Sequence, residues 1–138
     1  YAYSTFEGTR LTVLRGELQY QFKLGMIDYR SFVGMGYDPE HARILLFTRD
    51  SIFILKCNQA ESALLEFNLV YGIVTVGFYG EKVIAITESG RVYEVLPQYQ
   101  YLGRISVDSA IICGKIKQEG IYLLSKRGTL YEIQLNQK

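Results

Sequence analysis

The chain has 138 residues and a mass of 15.8 kDa, enough for one domain with a real core and too little for two. Apolar residues at 49% exclude a disordered chain, and charged residues at 21% exclude a membrane span. A net charge of +1 supplies no general electrostatic reason to bind nucleic acid or an anionic bilayer.

The elements are short, and no stretch of a dozen residues keeps a 3.6-residue stripe. Residues 1–6 alternate from Tyr1 and Tyr3 to Phe6, as a strand free to pair with a distant edge does. Residues 10–14 and 18–22 then flank Gly16 as a hairpin, and 26–29 follow as a half-exposed outer strand. Phe32-Val33-Gly34 leads to a second hairpin, 43–47 and 52–55, about Asp50; between them Tyr37-Asp38-Pro39-Glu40-His41 reads as a turn, because Pro fixes φ and Asp caps the bend. At 59–67, Ala60, Ala63, Leu64 and Phe67 have partial helical spacing, but Leu65, Phe67 and Leu69 alternate, and the strand reading is preferred. Thr75-Val76-Gly77 leads to a third hairpin, 82–86 and 92–96, about Gly90, followed by an alternating strand at 99–103. Ile112-Cys113-Gly114 leads to a fourth, 120–124 and 130–133, about Gly128.

Gly16, Asp50, Gly90 and Gly128, taken as equivalent turns in which Gly or Asp supplies a left-handed backbone, step by 34, 40 and 38 residues. A period near 40 with about four strands per repeat is the mark of propeller blades. Gly34, Gly77 and Gly114 fit first strands that line a crowded centre. Val83-Ile84-Ala85-Ile86 does not alternate, which predicts burial on both faces. The expected fold is therefore all-β, about four four-stranded antiparallel repeats in a single domain 1–138, with blades at 1–30, 31–69, 70–107 and 108–138, the last lacking an outer strand that residues 1–6 would supply. The arrangement preferred over that strand exchange, because four blades make a cramped ring, is a second copy, or further blades of the same or another chain, covering the open ends.

Residues 85–95 and 123–133 look like blades of the WD40-like and quinoprotein-like β-propeller superfamily, although the chain has no Trp and so no Trp-Asp dipeptide. The resemblance implies a platform for other proteins and, less often, an enzyme.

Candidate chemistry is sparse. His41 is the single base available to a Ser or Cys nucleophile and reads as a solvated loop residue. Cys57 and Cys113, without a CxxC or a second His, read as small buried core thiols in a reducing intracellular compartment, cytoplasmic or nuclear. No leader-like n- and h-region opens the sequence, in keeping with that compartment, and the missing initiator Met points to a trimmed or processed chain that belongs to a longer polypeptide. The carboxylate pairs Asp38 with Glu40, Glu61 with Glu66 and Glu88 with Glu94 read as solvated charge. Gly34-Met35-Gly36 lacks the rest of a phosphate cradle. Residues 104–138 carry net +3 and 61–96 net −3, which reads as ordinary surface scatter in preference to a device that orients partners or successive copies.

Among twelve tyrosines, Tyr99 and Tyr101 share a face and suit an interface anchor. The expected function is a non-catalytic scaffold in an intracellular multi-subunit complex, contacting protein partners through Tyr1, Tyr3, Tyr99 and Tyr101 and the basic Lys115, Lys117, Lys126 and Arg127. It needs no cofactor, no metal and no membrane insertion. The rival readings are nucleic-acid association through that basic set, and an enzymatic or small-molecule-binding propeller.

Overall fold

A computed structural model describes residues 2–5, 8–24, 27, 29–57, 62–69 and 72–135, with the backbone alone at 2–5, 8–10, 15, 29 and 62. Its strands form four antiparallel sheets of sequential neighbours. Sheet 1 holds β1 (Ala2–Thr5), β2 (Gly8–Arg15) and β3 (Leu18–Lys23); sheet 2 holds β4 (Gly34–Asp38), β5 (Arg43–Phe47), β6 (Ser51–Cys57) and β7 (Ser62–Asn68). Sheet 3 holds β8 (Ile73–Tyr79), β9 (Lys82–Thr87), β10 (Arg91–Leu96) and β11 (Gln100–Arg104); sheet 4 holds β12 (Ile111–Lys117), β13 (Gly120–Ser125) and β14 (Leu130–Ile133). No α-helix occurs among the described residues, so the chain is all-β, and the strand reading of 59–67 holds from Ser62 onward while 59–61 lie outside the described residues. No barrel closes.

The unalternating run in β9 explains how the sheets stack. Val83 and Ala85 join a core with Leu45 and Ile52 of sheet 2, while Ile84 and Ile86 join one with Ile121 and Leu123 of sheet 4, and all four β9 residues are fully buried. Sheet 2 is sandwiched in the same way: Phe53 and Leu55 turn from sheet 3 towards Leu11 and Phe22 of sheet 1. Each such side chain contributes about 2 kcal/mol on leaving water. The order is sheet 1, 2, 3, 4, with "forward" meaning towards sheet 4.

Strand register makes sheets 2, 3 and 4 strict equivalents. Gly34, Phe47, Ile52 and Phe67 pair in a row across sheet 2; Thr75, Ile86, Val92 and Gly103 form the same row in sheet 3; Cys113, Leu124 and Leu130 form it in sheet 4. The sheets are then joined main chain to main chain. Ile73 N–H donates to Arg49 C=O (2.8 Å) and, one repeat on, Ile111 N–H donates to Glu88 C=O (2.9 Å). The bonds from Glu88 N–H to Gly72 C=O (2.8 Å) and from Lys126 N–H to Ala110 C=O (2.8 Å) extend the β8–β9 and β12–β13 ladders within sheets 3 and 4. A buried hydroxyl closes each turn at these joints. Thr48 Oγ1 accepts the Ser51 amide (3.0 Å), Thr87 Oγ1 the Arg91 amide (3.2 Å) and Ser125 Oγ the Thr129 amide (3.1 Å).

Several expectations are corrected. Gly16 is left-handed (φ 61°), as are Gly90 and Gly128, but Asp50 is not; its carboxylate instead accepts from Thr48 Oγ1 at 3.0 Å and shapes the turn by side-chain bonding. Gly16 shares a cavity with Pro39 and Ala42 of the β4–β5 connection, at the end of the stack opposite the joints, so the β2–β3 hairpin is not equivalent to the other three. The step of 34 residues was short for that reason. The strand at the amino end pairs in sheet 1, with Tyr3 opposite Arg10, and does not complete sheet 4, because β2 offers an adjacent edge at far smaller loop closure. Tyr29 opens a short 3-10 turn rather than an outer strand, and residues 26 and 28 lie outside the described residues.

The close approach between first strands is made by Gly36 and Gly77, which hold the same register. A Cβ on Gly36 would sit 3.8 Å from the Phe78 ring, and one on Gly77 would stand 2.8 Å from Ile116 Cβ, a separation that forces the strands apart. Gly34 instead makes room for Phe47 of its own sheet, and Gly114 for Leu123 of its own and Thr75 of sheet 3.

Candidate protein-interaction surface

The first strands β4, β8 and β12 lie side by side and line an open groove of about 940 Å³. Its floor is β8, buried between the other two. On one wall the sequence Gly34-Met35-Gly36-Tyr37 alternates, sending the glycines inward and leaving Met35 67% and Tyr37 55% exposed. Val33 continues this wall, and Ile112 on β12, at a bulge against β13, is 57% exposed on the other. These four residues escaped the sequence reading; the alternation of Gly with large apolar residues was the available signal. Lys115 and Lys117 stand on the β12 wall, and Glu40 and Glu81 at the rim.

At the rim, Asp38 gathers its neighbours. Its Oδ2 accepts from Arg43 (2.8 and 3.1 Å) and lies 2.8 Å from His41 Nδ1, while the Arg43 guanidinium stacks 4.9 Å from the Phe78 ring centroid. Burial raises the Asp38 pKa, but the hydrogen bonds and charges of Arg43 and His41 outweigh it and the net shift is downward. Asp38, Glu40 and His41 bring ligand atoms within 4.8 Å of one another, yet a cation there would have to displace Arg43. His41 is exposed, as expected. Cys113 lines the same groove near the Thr75 level, whereas His41 lies beyond Asp38 at the opposite end of the first strands, so the two do not form a nucleophile and base pair.

Two readings of single residues are overturned. Cys57 is buried but Cys113 is exposed, because among the described residues no sheet packs on that side of β12. Glu94 is not solvated: it is 3% exposed in mid-β10, its Oε2 accepts the Gln98 amide (3.3 Å), and its Oε1 has Lys82 Nζ at 3.4 Å. Glu88 does sit in solvent, paired with Arg49 across the joint at 2.9 Å. Glu66 is exposed, and Glu61 lies outside the described residues.

Tyr99 and Tyr101 do share a face. Tyr99 stacks on Phe67 of sheet 2 (6.3 Å, 15°), Tyr101 packs on Tyr93 (5.3 Å), and each still shows about half of its surface. Burial, and then the neighbouring Tyr93, raise the Tyr99 pKa. These rings cover the outer rim of the joint between sheets 2 and 3 and stand apart from the groove. Tyr1 lies outside the described residues, and of Tyr3 only the backbone is described.

The basic set is divided. Lys115 and Lys117 run towards the β12–β13 turn, while Lys126 and Arg127 lie in the β13–β14 turn at the other end of sheet 4. Asp108, in the β11–β12 connection beside that turn, is its organiser. Thr129 Oγ1 and Ser109 Oγ donate to its carboxylate, its own N–H donates to Tyr131 Oη (2.8 Å), and the bonds from Thr129 and Ser125 foremost hold its pKa down to about 2.

No known protein family matches the chain, and no curated protein matches it. Among the described residues no helix is long and apolar enough to cross a membrane.

Proposed function

We propose that the chain is a β-propeller-type repeat array acting as a non-catalytic protein-binding platform, with the groove of β4, β8 and β12 as its contact surface. The observation that carries this reading is the exposure of Met35, Tyr37, Val33 and Ile112 along one groove, since exposed apolar side chains grouped at one surface gain most by being covered. The joints that recur between sheets 2, 3 and 4 support the propeller-type architecture. The rim chemistry supports a platform over an enzyme: Asp38 spends its charge on Arg43 and His41, and the exposed thiol has no base beside it. The division of the basic residues disfavours a nucleic-acid strip, which needs its cations along one track.

The test is comparative capture. Immobilised chain is exposed to cell extract beside a Met35→Asp/Ile112→Asp variant and a Tyr99→Ala/Tyr101→Ala variant, with circular dichroism to verify folding. A set of proteins retained by the unmodified chain and lost from the groove variant is expected. Retention that the groove variant leaves intact, or that only the tyrosine variant removes, overturns the choice of surface.

A further inference from the structure

Sheet 4 carries on its forward side the apolar row that sheets 2 and 3 bury. Leu124 holds the place of Phe47 and Ile86, and Leu130 that of Ile52 and Val92; the four counterparts are at most 5% exposed, whereas Leu130 is 68% exposed. Cys113, in the same row, holds the place of Thr75, which is buried under sheet 4 and donates to Gly114 C=O at 3.2 Å. The joint is repeated as well. Arg49 C=O and Glu88 C=O each receive the first-strand amide of the following sheet, and Lys126 C=O, next in that series, has no main-chain donor among the described residues. The opposite end of the stack differs: sheet 1 turns Thr12, Gln19 and Gln21 outward, a largely polar face interrupted by Leu14.

We propose that the forward face of sheet 4 docks a further antiparallel sheet of the same repeat, supplied by polypeptide outside residues 1–138, in the orientation in which sheet 4 docks on sheet 3. This rests on the propeller-type reading above. The incoming sheet presents branched aliphatic residues, as Val83 and Ala85 do to sheet 2 and Ile121 and Leu123 to sheet 3, and its first strand donates an N–H to Lys126 C=O. Lys115 stands where Gly36 and Gly77 admit Phe78 and Ile116, so the incoming first strand stands farther from β12 than β12 does from β8, and the residue it presents there is acidic and meets the ammonium. A second copy of this chain does not satisfy the face. Two-fold pairing sets forward face against forward face and brings no first-strand amide to Lys126, and head-to-tail pairing sets Leu124 and Leu130 on Thr12, Gln19 and Gln21.

The native thiol reports the outcome, because Cys113 is exposed in this row and Cys57 is buried. The chain is compared with a version extended after residue 138 by a copy of residues 70–107 that carries Phe78→Glu in the copy. In the unextended chain Cys113 reacts with Ellman's reagent at a rate independent of protein concentration. In the extended chain that rate falls roughly tenfold or more, since thiol reactivity follows access, and Leu130→Asp restores it. An unchanged rate in a folded extended chain overturns the proposal, and so does a rate that slows with concentration in the unextended chain, which would mean a second copy covers the face. Should the extension not fold, the unextended chain decides: binding of the dye ANS that Leu130→Asp reduces supports the open docking face, and no binding, or binding indifferent to Leu130→Asp, overturns it. Groove capture is read on the unextended chain alone, so lost capture with a protected Cys113 refutes only the platform, and kept capture with an unprotected Cys113 refutes only the docked sheet.

Discussion

Ile52 and Leu130 hold the same place in two equivalent sheets, paired in the same row and followed by the same kind of strand, yet one is fully buried and the other 68% exposed. Glu94 and Glu132 repeat the contrast in polar form, the first enclosed beside Lys82 and the second in solvent. Burial here belongs to the stack and not to the strand. A side chain of given type and register acquires its energetic weight from whether another sheet lies on it.

The widest separation is expected from truncating the two aliphatic residues. Ile52→Ala should lose about 3–4 kcal/mol in urea unfolding, the transfer term plus a cavity, and Leu130→Ala about 0.5 kcal/mol or less. Equal losses would mean that the forward face of sheet 4 is already covered in solution. Next comes the enclosed carboxylate. Lys82→Ala leaves Glu94 buried without its cation and should destabilise by about 2 kcal/mol, a loss that adding Glu94→Gln largely reverses; full stability in the single variant would show that water reaches Glu94.

A smaller effect is expected at the turns. Thr87→Val leaves the Arg91 amide without its acceptor and should remove about 1 kcal/mol, whereas Ser89→Ala, whose hydroxyl only touches that of Thr87 at 3.1 Å, should change little. The smallest concerns Asp108. Its folded pKa of about 2 lies below the unfolded carboxylate value, so its contribution is complete above pH 4 and is lost as pH falls towards 2. Thermal unfolding of Asp108→Asn should therefore match the unmodified chain near pH 2 and fall below it at neutral pH; parallel pH profiles would remove Asp108 as the organiser of the β13–β14 turn.

What the sequence made legible was local. The apolar runs of β5, β6, β9, β10 and β13 announced themselves, and the missing alternation at Val83 to Ile86 correctly implied a sheet covered twice. What it hid was relational. The end of the stack at which Gly16 turns, the edge that Tyr3 joins and the enclosure of Glu94 all depend on which sheet lies alongside, and no window of ten residues contains that. Cys113 was misjudged for the same reason: the strand around it reads like Thr75's, but among the described residues no sheet lies over it as sheet 4 lies over Thr75. The groove was half visible, since Met35 and Tyr37 alternate with glycine in the sequence, but the pairing of that wall with Ile112 required β4, β8 and β12 to meet.

The joints between sheets 2, 3 and 4 close through N–H and C=O groups, which every residue except proline carries in full. The carbonyls that make them belong to Arg49 and Glu88, opposite in charge, and although these two side chains also pair across the first joint, the main-chain bond itself asks nothing of either side chain. An architecture hinged in this way tolerates wide sequence drift so long as backbone angles are kept. Divergence can erase every recognisable signature from such a chain while leaving its construction intact, and the same freedom lets each turn be decorated separately for whatever surface it must present.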